Sequence, residues 1–357
     1  MKPLEGISVI ELASVLAGPA VGLFLAEQGA SVTKVEHFRG GDVTRSWRLP
    51  GESKESPVSA YFASVNADKA HVFYDLGHPV DRQKIDGLMA DADVVLLNFK
   101  PGDDVKFNLT TQFLRDTYPK LIIVSLRGFE GDSGRVAYDV VIQAETGYMS
   151  MNGTTESGPL KMPVALMDLL AAHQLKQGVL LGLYQRTKTG LGCVIQHSLE
   201  AAGISNLANQ ASNYLMTGYV AGLHGSLHPN IAPYGDTFTC ADGKAVVLAI
   251  GSDRQFLKMC GVLGVQQLAE DQNFATNAAR VNNRQALTNQ LKAAFSLKHS
   301  TDLMVAFQQQ HIPAGIVRNL KEVLDRPEIQ HLIWRTEMEG VQTARVRTSG
   351  FTIDYNE

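Results

Sequence analysis

The sequence predicts an α/β protein: a mostly parallel sheet covered by helices on both faces, followed by a smaller α+β domain. Three observations predict it. Short β-branched runs alternate with helical patterns through the first third of the chain, as repeated βα units do. A long apolar helix with a sharp stop follows them. Near residue 225 the texture changes to strands joined by a tight turn, the pattern of an antiparallel sheet.

The elements follow in order. "ISVIEL" (7–12) reads as a strand, "GPAVGLFLAEQGA" (18–30) as a helix ending near Gly29, and "SVTKVE" (31–36) as the next strand. Then come a strand at 71–76, a helix across 80–91, the strand "DVVLLNF" (93–99), a helix around 110–117 and the strand "LIIVSLRGF" (121–129). In parallel sheets ligands sit at the carboxyl ends of strands, so the loops after residues 12, 36, 99 and 129 are where chemistry is expected. "MPVALMDLLAAHQLKQGVLLGLYQRTKTGLG" (162–192) reads as one helix, with basic residues and glycines to stop it. "CVIQHSL" returns as a strand and 200–217 as a helix. Antiparallel strands meet at the Ala241-Asp242-Gly243 turn, and helices are expected near 253–263, 280–296 and 301–310, then a last run "AGIVR". Residues 225–320 are expected to form the smaller domain.

Composition narrows the function. The chain has 357 residues, 45% of them hydrophobic and 19% charged, with net charge −4, an ordinary globular balance without the basic field that nucleic-acid partners require. Cys193, Cys240 and Cys260 are too few and too scattered for a disulfide framework or a zinc site. His224 and His228 sit in a loop "HGSLHP" without a third ligand, so no metal is expected. The start "MKPLEGISVIEL" lacks a secretory layout, and no apolar run of spanning length is free of charge. A cytoplasmic protein without membrane contact is expected.

The first βα turn, "ASVLAGPAVG", lacks the G-x-G-x-x-G fingerprint of dinucleotide sites. Gly18-Pro19 still presets a helix start whose neighbouring amides can face a ligand. "NFKPG" (98–102) is either a plain strand-to-loop turn or a site at the sheet end offering Asn98, Phe99 and Lys100. Asp168 stands among Leu166, Met167, Leu169 and Leu170. It is either a first-turn carboxylate held by the helix dipole and amides, or a poorly solvated group kept for chemistry.

These motifs, taken in order, carry a resemblance. "PLEGISVIELASVLAGPAVGLFLAEQGASVTKVE…GGDVTR", "NADKA", "ADVVLLNFKPG", "LIIVSLRGF…YDVVIQAETG" and "PVALMD…GVLLGLYQRTKTGLG" together resemble the class III coenzyme A transferases. That superfamily also holds α-methylacyl-CoA racemase, and the likeness spans nearly the whole chain. It implies a large Rossmann-like domain built from both chain ends. Residues 1–200 and a C-terminal return at 321–357 would form it, with 201–224 as a linker helix and 225–320 inserted. It also implies an interlocked homodimer, with CoA bound where the domains meet.

The family's essential aspartate falls on Asp168. As a nucleophile it would attack an acyl-CoA thioester, give a mixed anhydride and then an aspartyl-CoA thioester, and pass the CoA to a free carboxylic acid. No tightly bound cofactor is implied, since CoA is substrate and product. Matching positions imply CoA contacts for Val15, Ala17, Lys69, Asn98, Phe99 and Lys106, and Tyr138-Asp139 match the tyrosine–acid pair of the transferase branch. Lys69 would meet a phosphate as a point charge. The arginine common after the third strand is Phe38 here, and the adjacent Arg39 is expected, with Tyr138 and Asp139, among the CoA-binding residues.

Departures sort the branches. Racemases carry histidine where this chain has Tyr138, which leaves two-base racemisation without a partner. Formyl-CoA transferases acting on oxalate carry histidine and glutamine where Ser14 and Leu16 stand, and "IGSDRQF" (250–256) replaces their glycine-rich loop. A CoA transferase is therefore the leading expectation. A 2-methylacyl-CoA racemase or epimerase is the second, and a catalytically idle CoA-ester-binding dimer the third.

Overall fold

The structure, a computed structural model, describes residues 2–131 and 134–354; residues 355–357 of the expected C-terminal return lie outside the described residues. The chain divides into two compact units. One takes Met1–Met149, Lys161–Val220 and Glu328–Glu357, the other Ser150–Leu160 and Ala221–Pro327.

The first unit is built on six parallel strands. In chain order they are β1 (Ser8–Leu12), β2 (Ser31–His37), β3 (Ala70–Tyr74), β4 (Val94–Leu97), β5 (Ile122–Arg127) and a sixth, Val194–Ser198. Their order in space is β3-β2-β1-β4-β5-sixth. The strand order therefore reverses between β1 and β4, and a crevice opens beyond their carboxyl ends. β4 is buried along its whole length, as a strand covered by helices on both faces must be.

Two apolar layers cover the sheet. On one face Val9, Val94, Leu96, Ile122 and Val124 pack with α1 (Ala17–Glu27) and the long helix Leu166–Thr189. On the other, Ile10, Val95, Leu97 and Ile123 meet Ile85 and Met89 of α3 (Pro79–Ala90) and Leu114 of a helix at Thr111–Thr117. Every residue of α1 is buried. Small side chains make that possible: a Cβ on Gly18 would stand 2.3 Å from the Cβ of Ala13. The long helix ends where Gly190 adopts a left-handed conformation (φ 72°), which a side-chain-free residue takes without strain. A C-terminal hairpin, Ile333–Met338 with Val341–Val346, puts Met338 against Phe62 of α2 (Ala60–Asn66).

The expected helix over 200–217 is two helices, Leu199–Ser205 and Asn209–Thr217. Ala208 between them has φ 49°, which breaks the α-helical path.

The second unit has a three-stranded antiparallel sheet in the order Ala314–Ile316, Ala245–Ala249, Tyr234–Thr239. Helices Asp253–Leu263, Arg284–Phe295 and Ser300–Gln309 cover it, and its core includes Phe238, Phe256, Phe295 and Phe307. Arg280 is wholly buried there and pairs with Asp253 at 2.7 Å. Among the described residues no helix is long and apolar enough to cross a membrane.

Candidate active site

A cavity of about 520 Å³ opens at the carboxyl ends of β1, β4 and β5, and Asp168 is in its wall. Ser14–Ala17 line it after β1, Asn98–Gly102 after β4, and Arg127–Phe129 at the end of β5. This is the place where the sheet's strand order reverses, the usual seat of a ligand in such folds.

Asn98 ties the two sides of that crevice together. Its side-chain oxygen accepts from the Ser14 N–H at 2.9 Å, and its amide nitrogen donates to the Ser14 carbonyl at 2.8 Å. The next residue of that loop, Val15, has φ 72°. A β-branched residue in the left-handed region costs on the order of 1–3 kcal/mol and persists only where its surroundings enforce it. Asp42 accepts the Val15 N–H at 3.2 Å.

Asp168 occupies the first turn of the long helix, which has no side-chain cap of its own. The Met167 N–H in that turn donates instead to the Asp139 carboxylate at 2.7 Å. Asp139 opens a short helix, Asp139–Glu145, and its other oxygen accepts from Gln143 at 2.6 Å. Among the described residues no hydrogen-bond donor or cation meets the Asp168 carboxylate. Burial, and after it the charge of Asp139, push its pKa up to about 7. Of the two readings of this aspartate, the one in which first-turn amides hold the carboxylate is not what the structure has.

Tyr61 on α2 was not singled out by the sequence. Burial, followed by the charges of Asp168, Asp139 and Asp42, pushes its phenol up to about 12, so it remains a neutral hydroxyl beside these carboxylates. Its ring meets that of Trp47 edge-on, with centroids 5.1 Å apart. Nothing in "SAYFAS" marks the residue, because its place depends on how α2 packs.

The structure brings Val15, Ala17, Asn98, Phe99 and Tyr138 to the same cavity as Asp168. Asp139 lies just behind it, bonded to the backbone of Met167. Arg39 and Lys106 are exposed and outside the lining; their cations rest on the rings of Phe38 and Phe107, at 4.9 and 4.8 Å from the centroids. Three cations do line the cavity, Lys100, Arg127 and Arg135. Arg135 is paired with Glu145.

Lys69 corrects an expectation. Its ammonium is wholly buried, and its three protons go to Glu11 at 2.7 Å, the Pro19 carbonyl at 2.9 Å and Asn66 at 3.2 Å. Burial lowers its pKa to about 8 even with Glu11 beside it. Every donor of the ammonium is engaged inside the fold, which argues against the phosphate contact. The lysine is a structural cation under the first βα loop, and Gly22 leaves room for it: a Cβ there would sit 1.9 Å from the Glu11 carboxylate.

Known proteins similar to this chain fall in one family. The family described as "CoA-transferase family III" matches residues 4–357. The succinate–glutarate CoA-transferase of Agrobacterium fabrum is 36% identical over 346 residues, covering 95% of this chain and 86% of that protein. The human succinyl-CoA:glutarate CoA-transferase is 32% identical over 361 residues, covering 100% of this chain and 81% of that one. Among solved structures, a CaiB/BaiF family protein from Brucella suis superposes with TM-score 0.87 at 35% identity, covering 99% of this chain and 93% of the other. Rv3272 from Mycobacterium tuberculosis gives TM-score 0.83 at 30% identity, covering 99% and 94%.

Proposed function

Since the chain belongs to CoA-transferase family III and is a transferase of the CaiB/BaiF type, we propose that it moves CoA from a dicarboxylyl-CoA such as succinyl-CoA to a free dicarboxylic acid such as glutarate, with Asp168 as nucleophile. The observation that carries this reading is the Asp168 carboxylate. It faces the cavity without a partner among the described residues, and its pKa is raised to about 7. A carboxylate starved of hydrogen bonds is a stronger nucleophile, and near neutral pH about half of it is ionised.

In this reading an Asp168 oxygen attacks the thioester carbonyl, the C–S bond breaks and CoA leaves as thiolate. The thiolate attacks the aspartyl carbonyl of the mixed anhydride, freeing the first acid and leaving an aspartyl-CoA thioester. The acceptor carboxylate attacks that thioester and expels the thiolate again. Attack of the thiolate on the new acyl group then yields the second acyl-CoA and restores Asp168. The apolar flank of Leu16 and Phe129 supports exclusion of water from intermediates that hydrolyse readily. Lys100, Arg127 and Arg135 supply positive charge for the CoA phosphates or the free carboxylate of a dicarboxylate. The substrate pair is taken from the names of the relatives above.

The same reading includes an interlocked homodimer. Leu215, Met216 and Val220 are 79%, 84% and 72% exposed, and solvent-facing side chains of that size support burial against a second copy. Sedimentation should give a dimer.

The deciding experiment incubates the protein with succinyl-CoA, adds hydroxylamine, digests it and seeks a hydroxamate on the Asp168 peptide by mass spectrometry. A hydroxamate at Asp168 is expected. A protein that transfers CoA to glutarate without ever labelling Asp168 would overturn the covalent role. Exchange of an α-proton from a 2-methylacyl-CoA in deuterated buffer would instead favour the racemase.

A further inference from the structure

Beneath the cavity lies a chain of four charged side chains that the proposed reaction does not use. Lys69 bonds one oxygen of Glu11 at 2.7 Å, and Lys34 bonds the other at 2.9 Å. Lys34 also reaches Asp42 at 3.0 Å and donates to the Ala13 carbonyl at 2.7 Å. No side chain of the four is more than 1% exposed. Two carboxylates alternate with two ammonium groups, so each buried group has one of opposite sign beside it.

The chain ends at the first βα loop. Asp42 takes the N–H of Val15, and its position is fixed by two bonds from Thr44, one from the backbone at 3.0 Å and one from the hydroxyl at 2.8 Å. Val15 is the residue held at φ 72°, and Ser14–Ala17 share the cavity wall with Asp168. A strained β-branched residue beside a reactive group, gripped from below by a buried carboxylate, is what an enforced loop conformation looks like.

We propose that Asp42, held by Lys34 and Thr44, is a positioning residue that keeps Val15 left-handed and thereby sets the cavity wall facing Asp168. The claim about the loop stands without the proposed reaction; its effect on turnover rests on that reaction.

The test compares wild type with Asp42→Asn, Val15→Gly and the double variant, by two readouts. Amide hydrogen exchange over residues 13–18 reports on the loop whether or not the substrates are right. Asp42→Asn should speed that exchange at least tenfold while the amides of β1 stay protected. With succinyl-CoA and glutarate, kcat should fall at least tenfold with KM for succinyl-CoA within threefold. Adding Val15→Gly, which adopts the same φ without strain, should restore at least a fivefold share of kcat per folded molecule. A merely structural Asp42 would show kcat tracking the folded fraction, with no rescue by glycine. Unchanged loop exchange in Asp42→Asn overturns the proposal. Should that variant not fold, Thr44→Val replaces it, with at least a threefold rise in loop exchange expected and no change overturning it. If wild type turns over neither substrate, the proposed function fails while the exchange result still decides the role of Asp42.

Discussion

Asp139 accepts a hydrogen bond from the backbone N–H of Met167 at 2.7 Å, and its charge raises the pKa of the adjoining Asp168. One carboxylate thus does the capping that the helix start lacks and opposes ionisation of the next. Burial first and this charge second put the Asp168 pKa at about 7, so in the proposed reaction its ionised share changes with pH near neutrality.

Asp139→Asn keeps an oxygen for the Met167 amide and removes the negative charge. Ionisation of Asp168 then becomes easier, so the pH at which kcat/KM for succinyl-CoA reaches half its plateau should fall below about 7. The pH–rate profile of the variant checks this. An upward shift would mean that Asp139 does not act through its charge.

Asp168→Asn should lower kcat by at least about a thousandfold with CoA-ester affinity within a few fold, as loss of a nucleophile does. The same variant should be more stable than wild type at high pH. The folded-state pKa of Asp168, about 7, lies above its ordinary 3.8, so the folded protein binds the proton more tightly than the unfolded chain does. Wild type therefore loses stability as pH rises from about 4 to about 7. The gain from Asn, on the order of 1–3 kcal/mol, should be full above pH 7 and absent below pH 4. Thermal melts at pH 4 and pH 8 measure it.

Lys69→Met should destabilise the fold by ~3 kcal/mol or more, because Glu11 is then left buried with only Lys34. KM for succinyl-CoA should stay within threefold in the folded protein. A large KM effect at unchanged stability would restore the phosphate role that the buried ammonium argues against.

Cys260 is buried in the core of the second unit, and burial pushes its thiol up to about 12. Only the thiolate reacts, so iodoacetamide at pH 8 should leave Cys260 unmodified in the folded protein and modify it fully in denaturant. Peptide mass spectrometry distinguishes the two.

Much of the scaffold was legible in the letters. Runs such as "SVIEL" and "VVLL" give strands because β-branched and aliphatic residues suit a sheet buried on both faces. Gly190 after "QRTKT" ends the long helix because it takes the left-handed conformation there without strain. The alternation of these runs is enough for a parallel sheet with a site at its carboxyl ends. The two-helix break at Ala208 left no such mark, since alanine itself favours helix.

The sequence by itself therefore determined the βα alternation, the long helix, the candidate aspartate within it and the family to compare with. The first two follow from local propensity, the aspartate and the family from the resemblance that the short motifs carry. Only the tertiary structure decided what each charged side chain faces. Lys69 lies in a motif yet turns inward to Glu11, Tyr61 lies in no motif yet stands in the field of Asp168, and Asp42 grips Val15 from 27 residues away. The physical reason is that a charge is placed by desolvation and by its partners, and both are set by segments far apart in sequence that meet only when the sheet and its helices pack.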